Sequence, residues 1–202
     1  MKKVMTKVFS VIGILLLSAG VTVALLAIFK PEKLRGLSRV AGGPSAPEVK
    51  ADDFQLLDHK GRWHALHRQT DSKAVVLIST ANGSPEMKEA AAKIKALRDK
   101  FASQGVVFWM VDSNPQDDRA AIAREADQLG NDLPVLEDRA QLVATALGLE
   151  QTCEAVCIST TNWMTFYRGA IDRDLADSST KAGGSGNYLE NALSRFLAGK
   201  TA

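Results

Sequence analysis

Cysteine is nearly missing from this chain, with two residues in 202, Cys153 and Cys157. They are too few for a disulfide framework and form neither a C-x-x-C pair nor a zinc-type array. No internal repeat is visible. Hydrophobic content of 46% and charged content of 24% exclude disordered and collagen-like classes and fit an ordinary globular protein. A basic excess is also lacking where it would matter. The net charge of +2 hides seven Lys/Arg against one Glu in residues 1–39, and 18 against 22 acids in the remainder. A mildly acidic body excludes nucleic acid as a partner, whereas a basic tail beside an apolar run suits anionic head groups.

Residues 8–29 run for 22 positions without a charge, long enough for a helix to cross a bilayer core of about 30 Å. The run exceeds the usual h-region of a cleaved signal peptide, and no small-x-small site precedes Lys30. No cysteine near its end marks a lipoprotein. The sequence therefore predicts a tail over 1–7, an uncleaved signal anchor over 8–29, a Gly/Pro-containing linker over 30–49 and a folded domain over 50–200. Lysines and arginines flank the anchor on both sides, which leaves its orientation open; a short N-terminal tail favours the domain outside.

The body alternates. Residues 54–57 and 63–66 read as two extended runs around a turn at 58–61. Residues 74–79 (AVVLIS) and 106–111 (VVFWMV) are continuous apolar runs of the kind buried on both faces. Pro85 behind Ser84 opens a helix with Met87, Ala91, Ile94, Leu97 and Phe101 on one stripe. A second helix carries Ile122, Ala126 and Leu129, a short strand spans 133–136, and a third helix carries Leu142, Ala146 and Leu147. Two extended runs, 154–159 and 163–168, precede a last helix striped by Tyr188, Leu189, Ala192, Leu193, Phe196 and Leu197. The order is ββ-βαβα-βα-ββα, an α/β class.

Residues 54–62 (FQLLDHKGR), 105–108 (GVVF), 113–117 (SNPQD), 133–138 (LPVLED) and 167–172 (YRGAID), in that element order, resemble the redoxin group of the AhpC/TSA family, peroxiredoxins and thiol-disulfide oxidoreductases. The resemblance covers 50–200 and implies a thioredoxin-like fold: a central mixed β-sheet flanked by helices, with an N-terminal β-hairpin. It also implies a cysteine in the loop after the first central strand, where free N–H groups and the helix dipole lower a thiol's pKa. Here that loop reads Thr80, Ala81, Asn82, Gly83, Ser84, Pro85. Ser84 stands at the cysteine position and reads as an N-cap; as a nucleophile it would lack a nearby histidine base. Cys153 stands where relatives carry a cis-proline, so the peptide there is expected to be trans. Cys153 reads as structural, with a redox thiol as the sharper alternative.

Cys153 and Cys157 also form the C-x-x-x-C spacing of Sco-type copper-delivery proteins, but a strand would hold the sulfurs roughly 13 Å apart. His59, His64 and His67 are expected to cover the hairpin surface. Asp112, Asp117 and Asp118 read as strand-end and helix-capping acids, and Arg168 and Asp172 as an exposed ion pair, with Arg168 as a possible groove residue. Trp109 and Trp163 read as core or sheet residues, and residues 183–186 (GGSG) as a loop rather than a phosphate cradle. No cofactor and no metal are expected. The reading favours a cysteine-depleted redoxin-domain protein, single-pass in a bacterial inner membrane with a periplasmic domain, that binds a protein partner in the envelope. The alternatives are a thiol oxidoreductase or peroxidase using Cys153, and a copper-delivery protein.

Overall fold

The computed structural model describes residues 49–175 and 186–200. The tail, the anchor, the linker up to residue 48 and residues 183–185 lie outside the described residues. Among the described residues no helix is long and apolar enough to cross a membrane.

A hairpin of β1 (Gln55–Leu57) and β2 (Trp63–Ala65) precedes a 3-10 turn at Leu66–Arg68. Then follow β3 (Ala74–Thr80), α1 (Pro85–Ala102), β4 (Val106–Asp112), α2 (Arg119–Gln128), β5 (Val135–Glu137) and α3 (Leu142–Leu147). The chain closes with β6 (Glu154–Ser159), β7 (Thr165–Ala170) and α4 (Tyr188–Leu197). Five strands form one mixed sheet in the order β5-β4-β3-β6-β7. β3, β4 and β5 run parallel, while β6 is antiparallel to β3 and β7 to β6. This is an α/β thioredoxin-like fold.

The continuous apolar runs become the central strands because both sheet faces are covered. Val76, Ile78, Phe108, Met110, Ala155 and Cys157 face a cluster completed by α1, α2 and α4, through Ile94, Ile122 and Leu193. Val75, Leu77, Trp109, Val111, Val156 and Ile158 face a second cluster with Leu66, Val143 and Leu147. Strand parity thus decides which face each residue serves.

Several expectations shift by a residue or a face. On α1 Ala90, not Ala91, joins Met87, Ile94, Leu97 and Phe101 in the core. The short strand starts at Val135 because Pro134 has no N–H to donate, and the Pro134 carbonyl instead accepts the Met110 N–H at 2.9 Å. On α3 the buried residues are Val143, Ala144 and Leu147, whereas Leu142 is 72% exposed. Asp138 explains this: its carboxylate accepts the N–H groups of Leu142 at 3.0 Å and Ala144 at 2.8 Å. That cap fixes the start of the helix and turns Leu142 outward. His59 is buried, contrary to its expected place on the surface, because its Nδ1 accepts the Val135 N–H at 3.2 Å. Trp109 is core, and Trp163 stacks on His67 at 4.2 Å.

Candidate functional site

The loop between β3 and α1 lies at the carboxyl ends of the parallel strands, where open α/β sheets place their sites. Gly83 holds φ +76, a left-handed conformation that a side chain resists. Its N–H donates to Glu125 Oε2 at 2.6 Å, and the Asn82 N–H donates to Asp117 Oδ2 at 3.2 Å. Ser84 then caps α1. Its Oγ accepts the Met87 N–H at 3.2 Å and donates to Glu86 Oε2 at 2.6 Å, while Pro85 occupies the first helical turn. The Ser84 hydroxyl therefore faces an exposed carboxylate whose pKa that hydrogen bond lowers. Such a group is a poor base for an alcohol.

Cys153 packs against the first turn of α1. Its N–H donates to the Ser79 carbonyl at 2.9 Å, which seats it at the end of β3. The structure contains no cis peptide bond among the described residues, and Cys153 has φ +63. Its side chain is 1% exposed and its Sγ lies 3.2 Å from Met87 Sδ. Burial, reinforced by the charges of Glu86, Asp172 and Glu89, pushes the thiol up to about 12. Cys157 is fully buried in the same cluster, and burial raises its thiol well above the ordinary value. Neither sulfur has the electropositive, accessible surroundings that generate a thiolate.

The remaining candidates disperse. Arg168 pairs in register with Val156 and so faces the second cluster, away from α1. It lies 3.7 Å from Glu154 and packs across Gly148, where an added Cβ would fall 2.0 Å from its Nη1. Asp172 does not pair with Arg168. It is buried, binds Lys93, and accepts the N–H groups of Asp174 and Leu175 at 3.0 Å. Asp118 caps α2 by accepting the Ala121 N–H at 2.7 Å. Asp117 caps no helix, because it serves the Asn82 loop instead. His64 binds buried Asp58 at 2.9 Å. Among the described residues no group of three or more His, Cys, Asp or Glu could hold a metal ion. A groove of about 360 Å³ between α1 and α4 has its lysines engaged, Lys93 with Asp172 and Lys100 with Glu190.

Two participants escape the sequence reading. Glu125 stands between core residues Ile122 and Ala126, an acid on the inner shoulder of a helix, which was the one available signal. Met87 is legible as core, but its approach to Cys153 is tertiary.

A five-stranded mixed sheet flanked by helices and preceded by a hairpin defines a thioredoxin-like redoxin-domain protein. The chain belongs to the AhpC/TSA family, which matches residues 47–169. It is similar to an uncharacterized conserved protein of Geobacillus kaustophilus at 23% identity, covering 80% of this chain and 87% of that one, with a TM-score of 0.67. The thioredoxin domain of a thiol-disulfide oxidoreductase of Bacteroides vulgatus is 12% identical, covering 79% and 99%, with a TM-score of 0.56. The peroxidoxin BcpB of Mycobacterium tuberculosis is 20% identical, covering 78% and 96%, with a TM-score of 0.55. No curated protein sequence matches the chain.

Proposed function

We propose that this protein is a redoxin-domain binding or assembly module of the bacterial envelope that does not perform cysteine-based redox catalysis. Residues 8–29 anchor it in the inner membrane, and the domain meets a protein partner on the periplasmic side. The apolar run over those residues supports the anchor, and tethering raises the effective concentration of the domain near a membrane partner. The observation that carries the reading is the state of the loop before α1. Ser84 is consumed as a cap, and the nearest thiol, Cys153, is 1% exposed with a pKa pushed to about 12.

The test is alkylation of each cysteine against pH in the full-length chain in detergent. At pH 7 Cys153 should hold about a thousandfold less thiolate than a free cysteine, and both sulfurs should react only when the protein opens. Fast alkylation of Cys153 with a midpoint below pH 8 would replace this reading with a thiol oxidoreductase or peroxidase. A copper-delivery role would need Cys157 as a ligand, and that residue has no exposed surface.

A further inference from the structure

Three carboxyl groups meet behind the loop that precedes α1. Asp112 ends β4 and is 2% exposed. Its Oδ1 accepts the Asn114 N–H at 2.9 Å, while its Oδ2 is buried with no donor. Asp117 stands within hydrogen-bonding reach of this carboxyl and uses its own Oδ2 to hold the Asn82 N–H. Glu125 holds the Gly83 N–H on Oε2, and its Oε1 is likewise buried without a donor.

An ionised carboxylate only accepts hydrogen bonds, so two carboxyl groups in contact need a proton between them. The surroundings supply no other remedy. The charged groups acting most strongly on Asp112, Asp117 and Glu125, are both acids. Its neighbour on β3 is the uncharged Thr80. Its neighbour on β5 is Glu137, which Arg119 engages. From the turn before α3, Asp138 is occupied by Ser113 Oγ and by the N–H groups of Leu142 and Ala144.

We propose that Asp112 and Asp117 share one proton, and that this proton latches the Asn82 and Gly83 amides against Asp117 and Glu125. Loss of the proton places three like charges together in a buried space. Asp117 and Glu125 are the two that can swing outward, and both anchor the loop, so their departure frees the two N–H groups ahead of α1. The balance is one proton given to solvent and no bond broken in the chain. Burial first, then the neighbouring acids, pushes the Asp112 carboxyl up to about 7, which puts the change inside the neutral range. The proton belongs to the pair rather than to one residue. This latch controls exposure of the loop whether the face binds a partner or performs chemistry, so it stands or falls separately from the proposed function.

Hydrogen exchange of the Asn82 and Gly83 amides in the full-length protein tests it, after correction for the chemical pH trend. From pH 6 to pH 8 protection should fall about tenfold beyond that trend, the change in the protonated fraction across a group titrating near 7. In Asp112→Asn, whose side-chain amide donates permanently to Asp117, protection should stay level. A level profile in the wild type, or the same step in the variant, overturns the latch. Should the variant fail to fold, carboxyl-carbon NMR of the wild type decides: a step near neutrality in the Asp112 signal supports it, and titration of Asp112 at ordinary carboxylate pH refutes it.

Discussion

Asp58 and Asp112 are both buried aspartates at strand ends, and their surroundings drive them in opposite directions. Burial alone would raise Asp58, but N–H groups from Arg62 and Lys60, the Arg62 guanidinium and His64 outweigh it and hold the carboxyl at about 2. A depressed folded pKa contributes stability that is fully present above the unfolded value near 4 and is lost as pH falls through 2. Asp58→Asn should therefore destabilise the protein by about 2 kcal/mol at pH 7, and by much less at pH 2, in urea unfolding. Asp112 is the reverse case, since its carboxyl is raised to about 7. The folded state keeps a proton that the unfolded chain releases near pH 4, so stability declines as pH rises from 4 to 7. Asp112→Asn should gain stability over the wild type progressively across that window, reaching on the order of a few kcal/mol at pH 8. A pH-independent difference between the two would show that Asp112 is ionised throughout. Donors and a cation around Asp58, and acids around Asp112, separate these two buried carboxyls, and neither set of neighbours is visible in sequence, where both read only as turn or strand-end residues.

At the scale of the element, α1 and α3 are both set at their N-terminal ends, α1 by its own first residues and α3 by a more distant one. Ser84 and Pro85 form a start signal readable from sequence, and Ser84→Ala should cost about 1 kcal/mol in thermal or urea unfolding while leaving cysteine alkylation unchanged. A change in alkylation would mean that the hydroxyl takes part in the state of the Cys153 thiol. The cap of α3 is not readable in the sequence, because the acceptor that caps it is the Asp138 carboxylate, several residues ahead of the helix, and Gln141 adopts φ +58 between them. Gly148 closes α3 at φ +68, directly under Arg168. Gly148→Ala should destabilise through both the left-handed backbone and the displaced guanidinium. In an Arg168→Ala background only the backbone part, about 1 kcal/mol, should remain. Equal costs in the two backgrounds would show that Arg168 moves aside freely.

At the scale of the molecule, the five-stranded sheet separates two apolar clusters, so substitutions on opposite faces should act independently. Ile94→Val removes a methyl from the face with α1, and Ile158→Val removes one from the face with α3. Each should cost about 0.5–1.5 kcal/mol, and the double variant should equal their sum within about 0.5 kcal/mol in urea unfolding. A larger discrepancy would mean that the sheet transmits strain between its faces.

The sequence by itself determined the order of strands and helices, because apolar runs, helical stripes and start and stop residues are local properties written at fixed spacing. It also determined that the loop between the first central strand and the helix opened by Ser84 and Pro85 contains no cysteine. Tertiary structure alone decided that Asp117 and Glu125 occupy the amides beside that serine, that Arg168 faces away from it, and that Cys153 is sealed against Met87. Those facts depend on which strand lies beside which and on what covers each face. Burial, charge proximity and hydrogen-bond partnership over dozens of residues have no local signature, yet they set the chemistry of the loop before α1.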